Sequence, residues 1–373
     1  MRRYLYIIIF LFGCKEAYNP HIKNANYNYL VVEGNIVAGN DSTIIHLSRT
    51  VAVSDTSIAQ PEINATIAVE GDGGETYSLQ NQNNGAYAAA SLNINLNEKY
   101  RLHIFTADGK EYASDFVPVN QTPAIDSVSW KYNNGTDVNI YVSTHDATSN
   151  TQYYRWQFVE TWEHRPKYSS ELIYDPSISD VRKRLPEEQI YRCWNVATSG
   201  SIFIASTTGL SADVVYEKQL NEIPYGSEKI DRVYSILVTQ YALTKEAYQY
   251  WDNLKKNTES LGSIFDPQPF ADFGNIKCIT NPDEPVLGYI SACSASDKRI
   301  YINWTDVQWP YSFPFCGDTT VLDGHHAEVF SHTEEYIPID FVLPPPNAVK
   351  GSFIQCADCR LDGGSTIKPP YMP

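Results

Sequence analysis

From Tyr29 to Asn120, short runs of β-branched and aromatic residues are broken about every ten to fifteen residues by Asn, Asp and Gly. Tyr29 to Val37, Ser42 to Arg49, Ile63 to Val69 and Tyr100 to Thr106 read as strands. Gly71-Asp72-Gly73-Gly74, Asn83-Asn84-Gly85 and Asp108-Gly109 read as the turns between them. A chain punctuated this often cannot build long helices. It can fold as an antiparallel sandwich of the immunoglobulin-like or transthyretin-like kind, predicted over residues 27–120. Asp108-Gly109, between Tyr100–Thr106 and Glu111–Phe116, is a two-residue hairpin signal.

The chain has 373 residues, too many for that sandwich alone. Gln121-Thr122-Pro123 is a candidate hinge, and residues 121–373 are expected to form a larger β-rich domain. Val138, Ile140 and Val142 alternate with Asn139, Tyr141 and Ser143, the period of a half-buried strand. Tyr153 to Trp162 and Arg232 to Tyr241 read as further strands. Residues 163–190 mix Arg165, Lys167, Arg182, Lys183, Glu187 and Glu188 with two prolines, and read as a solvated excursion or a ligand loop. One prominent helix is predicted near 244–258. Thr244 can cap it, and Ala247, Tyr250, Trp251 and Leu254 share one face, expected to pack into the core. Gly262 would close that segment.

The first residues are of another kind. Met1-Arg2-Arg3 precedes an apolar run from Tyr4 to Phe12, the pattern of a secretory signal. About nine apolar residues are too few to span a bilayer, which takes about 20. Leu11-Phe12-Gly13-Cys14 resembles a bacterial lipobox. Residues 1–13 are therefore expected to be a lipoprotein signal peptide, Cys14 the acylated residue, and 14–26 a tether. A plain signal peptide with a chance cysteine is the other reading. Acyl chains hold a protein to a membrane through about 0.8 kcal/mol per buried CH₂.

Charge narrows the partners. The chain carries 28 basic and 44 acidic residues, a net charge of -16. Loss of Arg2 and Arg3 with the signal would make it 26 minus 44, or -18. That excess argues against nucleic acid and against electrostatic docking on anionic lipid.

Beyond Cys14, six cysteines remain: Cys193, Cys278, Cys293, Cys316, Cys356 and Cys359. In an oxidising compartment three disulfides are expected, all in the second half, with the pairing left open among 15 connectivities. Cys356-x-x-Cys359 lacks the second close pair of a structural zinc site and the βαβ setting of a redox pair. His325, His326, Glu328, His332 and Glu334 cluster in sequence without the H-E-x-x-H spacing, so no metal site is expected and an exposed polar loop is the simpler reading. No G-x-S-x-G, P-loop or dinucleotide fingerprint occurs. The chain is expected to have no catalytic residues and no cofactor.

Aromatic residues are the best binding clue. Trp156, Trp162, Trp194, Trp304, Trp309 and Tyr311 can stack on sugar rings or fill cores. Trp304, Trp309 and Tyr311 are the candidates for a ligand surface, because Pro310 and Pro314 disfavour a core strand there.

Several blocks occur together: YLVVEGNI with IIHLSRT, GKEYASDFVPV, TPAIDSVSW, LVTQYALTKEAYQYW, GSIFDPQP, GNIKC, EPVLGYISA and the ending CADCRLDGGSTIKPPYMP. In these blocks the chain resembles the DUF4249 family of Bacteroidota lipoproteins, over about residues 25–373. The resemblance implies an outer-membrane protein encoded near TonB-dependent receptors, and it supplies no catalytic residues. The function expected from it is a non-enzymatic accessory to such a receptor, in substrate capture or complex assembly. The alternatives are an independent surface module for glycan or peptide, and a hydrolase with an unrecognised site.

Overall fold

A computed structural model of the chain describes residues 28–51, 60–133, 135–259, 274–308, 313, 315–331, 335–344 and 347–373. The signal peptide, Cys14, the tether, Gly262, Trp309, Tyr311, His332 and Glu334 lie outside the described residues. The chain is mainly β, with 50% strand against 12% helix. Among the described residues no helix is long and apolar enough to cross a membrane.

The first body is the predicted sandwich. Leu30–Gly34, Thr43–Arg49, Ala86–Ala89, Thr76–Asn81, Thr66–Gly71 and Lys99–Phe105 pair in that spatial order, every pair antiparallel. The alternation does what it predicts. Ile45 and Leu47 are buried while Ile44 and His46 face out, and Tyr100, Leu102 and Ile104 enter the same core. Asp108-Gly109 turns Lys99–Phe105 into Glu111–Ser114, with Gly109 at φ +82°. That left-handed conformation is why glycine stands there.

The expected boundary at residue 120 does not close this body. Ile276–Cys278 adds to Glu111–Ser114, and Leu287 exchanges backbone bonds of 2.8 and 2.9 Å with Val32 and Leu30. Ile276, Cys278, Val286, Ile290 and Ala292 complete the first core. Gly288 permits the approach: a Cβ there would stand 2.2 Å from the Val32 carbonyl oxygen. A strand returning from about 150 residues away leaves no local trace in sequence.

Ala292–Asn303 joins the two bodies. Its first residues run parallel to Ile36–Ala38 and Val119–Asn120. From Ala295 onward it is antiparallel to Val233–Ala242. That strand pairs with Tyr153–His164, whose other edge takes Phe203–Ser206 and then Cys193–Thr198. A second sheet, Ile125–Asn133, Asp137–His145 and Val214–Pro224, faces it. Tyr154, Trp156, Tyr234, Ile236 and Val238 meet Val138, Ile140 and Val142 between the layers. The buried Trp156 indole donates to Gln240 Oε1 at 2.8 Å, so its polar atom is satisfied in the core.

The helix spans Lys245–Glu259, and Thr244 Oγ1 accepts from Ala247 N at 3.1 Å, the predicted cap. Ala247 and Tyr250 are buried; Trp251 and Leu254 are only half-buried.

The third body is small. Asp318–Val321, Ala348–Phe353 and Tyr336–Val342 form an antiparallel sheet. The expected solvated excursion is a hairpin instead, Leu172–Asp175 with Asp180–Lys183. Leu172 and Val181 pack with Val321, Phe330 and Val349, while the other face carries the charges that dominated the sequence. Only two of the three expected disulfides form, Cys193–Cys359 and Cys316–Cys356. Cys278 and Cys293 are buried thiols. They lie in the first core and at the start of the joining strand, where they act as small apolar side chains.

Candidate functional site

Strand alternation sets up the site. In Tyr153–His164, the residues Tyr154, Trp156 and Phe158 enter the sandwich core, which turns Arg155, Gln157 and Val159 to the opposite face. In an isolated sandwich that face would be wet. Here the first body and the helix stand over it and flank a half-open cavity of about 850 Å³. Ligand sites usually measure about 300–1,000 Å³ and sit between such bodies.

Arg155 is the central group of this cavity. It is 8% exposed. Its guanidinium carbon lies 3.7 Å from the centroid of the Trp251 ring. Tyr241 stands directly opposite it in the strand register. Burial pulls the guanidinium down to about 10, against the smaller opposing influences of Tyr241, Cys293 and Glu33, so it is charged at neutral pH. Burial pushes the Tyr241 hydroxyl up to about 12 and the Cys293 thiol up to about 12. Both are therefore neutral, and neither is a counter-ion.

Ten arginines lie among the described residues. Nine of them have a carboxylate, hydroxyl or carbonyl partner. Arg155 alone has neither hydrogen bond nor ion pair among the described residues. Glu160, on the same strand and also buried, shows the contrast: it accepts from the Tyr234 hydroxyl, Asn221 Nδ2 and Lys229 Nζ, each at 2.7 Å. A buried charge left without its partner costs about 3–5 kcal/mol. A cation over an indole regains about 0.5–2 kcal/mol. The stack does not offset the burial.

The Trp251 indole Nε1 and Asn35 Oδ1 belong to lining residues, but both atoms are buried behind the wall and do not reach the space. Ile44, Val159 and Leu254 supply apolar wall. Glu259 also lines the space, but Ile202 N–H at 2.9 Å and Lys255 Nζ at 3.1 Å engage its carboxylate and hold it below the usual range. A guanidinium beside a phenol in one space with apolar wall suits an oxyanion.

The residues singled out from sequence fall elsewhere. Trp304 is half-exposed on the short helix Trp304–Val307, beside a recess of about 320 Å³ with Glu163, Arg165 and Arg232. Trp309 and Tyr311 lie outside the described residues. Trp156, Trp162 and Trp194 are buried and cannot stack on a sugar. Trp251, expected in the core, is a cavity wall. His326 is buried against Phe330 and lies 2.7 Å from Asp180, whereas His325 is exposed beside Glu328. Among the described residues no three His, Cys, Asp or Glu side chains are grouped to hold a metal. Arg155, Tyr241 and Asn35 escaped sequence reasoning. The usable signal was an arginine on the outward face of a strand whose other face is aromatic.

These features define a two-sandwich β protein with a ligand-sized cavity at the junction. Residues 15–299 match the family described as "Domain of unknown function (DUF4249)", and the chain belongs to that family. Comparison with curated proteins finds no match. Among solved structures, the chain is similar to a two-domain fibronectin type-III segment of chicken tenascin at 10% identity. That likeness covers 57% of this chain and 89% of that one, with a TM-score of 0.16. The FN1–FN3 domains of chicken CNTN1 match at 11% identity and a TM-score of 0.17. Here 59% of this chain spans 64% of that one. Neither superposition is close enough to carry an argument.

Proposed function

We propose that this is an outer-membrane lipoprotein of a Bacteroidota cell, acylated at Cys14, which captures a ligand as a non-enzymatic accessory to a TonB-dependent receptor. The lipobox-like Leu11–Cys14 supports the anchor. The family resemblance supports the receptor. The observation that carries capture is the junction cavity with its unpaired, buried Arg155. A preformed, half-open space with an unpaired arginine in its wall suits holding a ligand better than a merely structural contact. Exposed Trp304 over its ionic recess favours a second reading, a module that binds glycan or peptide by itself.

Detergent extraction with a tag on the chain tests the first reading. A β-barrel receptor is expected to co-purify, and Cys14→Ala is expected to release the chain from the membrane fraction. Recovery only as a free monomer would refute the accessory role, and continued membrane retention of the variant would refute the anchor.

A further inference from the structure

The junction cavity has a chemical preference written into its walls. Arg155 is more than nine-tenths buried, faces the cavity and has no anionic partner among the described residues. The chain is rich in carboxylates, with 44 acidic residues against 28 basic. A counter-ion for one buried arginine was available many times over, and none of the described carboxylates pairs with it. Glu33, on the exposed rim, makes no ion pair with Arg155, and Glu259 is taken by Lys255 and Ile202.

The guanidinium carbon sits 3.7 Å over the Trp251 ring, and no described group takes its N–H donors. A planar guanidinium edge matches the two oxygens of a carboxylate or phosphate. Tyr241, opposite Arg155 in the strand register, lines the same wall and adds a neutral phenol. The volume of about 850 Å³ far exceeds a bare inorganic ion, and the apolar wall of Ile44, Val159 and Leu254 would be wasted on one.

We infer that the cavity binds a small organic oxyanion, a carboxylate or phosphate on an apolar or aromatic body, with the anionic group on Arg155 and the body against Ile44, Val159 and Leu254. This rests on the reading of the cavity as the capture site and adds the class of ligand it captures. No bond is made or broken; the ligand supplies the missing counter-charge.

Calorimetric titration of the full chain with 2-naphthoate, 2-naphthyl phosphate and neutral 2-naphthamide tests it. At least one of the two anions is expected to bind about tenfold or more tighter than the amide, and which one does so distinguishes carboxylate from phosphate. Arg155→Gln is expected to bring the anions to the level of the amide. Arg155→Lys keeps the charge without the planar fork, and is expected to retain a weakened preference. Because removal of an unpaired buried charge relieves the fold, Arg155→Gln is also expected to melt at or above the temperature of the parent. Equal affinity for anions and amide, or an Arg155→Gln chain that still prefers anions, would overturn the anionic class while leaving the cavity a binding site. No binding of any of the three probes would overturn the cavity as capture site as well.

Discussion

Arg155 and Trp251 come from different elements, the strand Tyr153–His164 and the helix Lys245–Glu259, and meet face to face at 3.7 Å. The helix therefore serves two purposes through neighbouring residues. Ala247 docks it on Ile204 and Leu243, and Trp251 carries the floor of the guanidinium. Binding chemistry at Arg155 and the seating of the helix are coupled through one ring.

Trp251→Ala should therefore act on stability as well as on binding. Half-burial places its cost below that of a core tryptophan, at about 2–3 kcal/mol. Trp251→Phe should cost less than half as much. Urea unfolding of the three chains gives the comparison. An unchanged midpoint for the alanine variant would mean that the helix does not depend on this contact.

Cysteine chemistry gives a sharp count. With two bridges and Cys14 acylated, the denatured but unreduced chain should release two thiols, those of Cys278 and Cys293. The native chain should react at neither, because both are buried and burial pushes Cys293 up to about 12. Titration with an aromatic disulfide reagent before and after denaturation reads both numbers. A count of zero would restore the third bridge, and a count of three would mean that Cys14 is not acylated.

The Cys316–Cys356 bridge closes a separation of 40 residues within the third body. Replacing both by Ser should destabilise that body by about 2–4 kcal/mol. The two sandwiches share none of this loop, so limited proteolysis should cut first between Cys316 and Cys356 while the sandwich cores persist. Simultaneous loss of all three bodies would show that they unfold as one unit.

The hairpin of the third body should respond to acid. Arg182 holds Glu188 from the ordinary 4.5 down to about 2, helped by the Leu185 N–H. The Ser177 hydroxyl and Arg182 hold Asp175 from 3.8 down to about 2. Both folded values lie below the unfolded ones, so their support is full above about pH 4.5 and is lost as pH falls toward about 2. Amide exchange in Leu172–Lys183 should quicken through that window, and Arg182→Ala should flatten the response. These groups are solvent-exposed, so high salt should weaken the effect.

The first sandwich was legible because its strands, turns and core face are all local: Ile45 and Leu47 inward, Ile44 and His46 outward, Gly109 at the hairpin. The helix and its Thr244 cap were legible for the same reason. The strand Ile276–Cys278 was not, since its partner Glu111–Ser114 lies far back in the chain. Leu172 and Val181 were masked by the charged residues that alternate with them. The cavity was hidden for a geometric reason. Alternation shows that Arg155 points away from Trp156, but what covers that outward face is decided by how two bodies meet. Composition misled too, since it drew notice to Trp156, Trp162 and Trp194, which pack inward; helix periodicity placed Trp251 in the core, where it is only partly buried.

Ala292–Asn303 has a consequence for the order in which the chain becomes itself. The first hundred or so residues leave the ribosome early, yet the edge at Ile36–Ala38 and Val119–Asn120 stays bare until Ala292 arrives. Synthesis at about 5–20 residues per second puts that delay on the order of ten to thirty seconds. During it, the early half is an unfinished sheet with an open flank, the kind of surface that recruits the wrong strand. A chain built this way depends on its late portion to seal its early one. Truncation anywhere between Asn120 and Ala292 should therefore yield a product that aggregates, even though every residue of the predicted first domain is present.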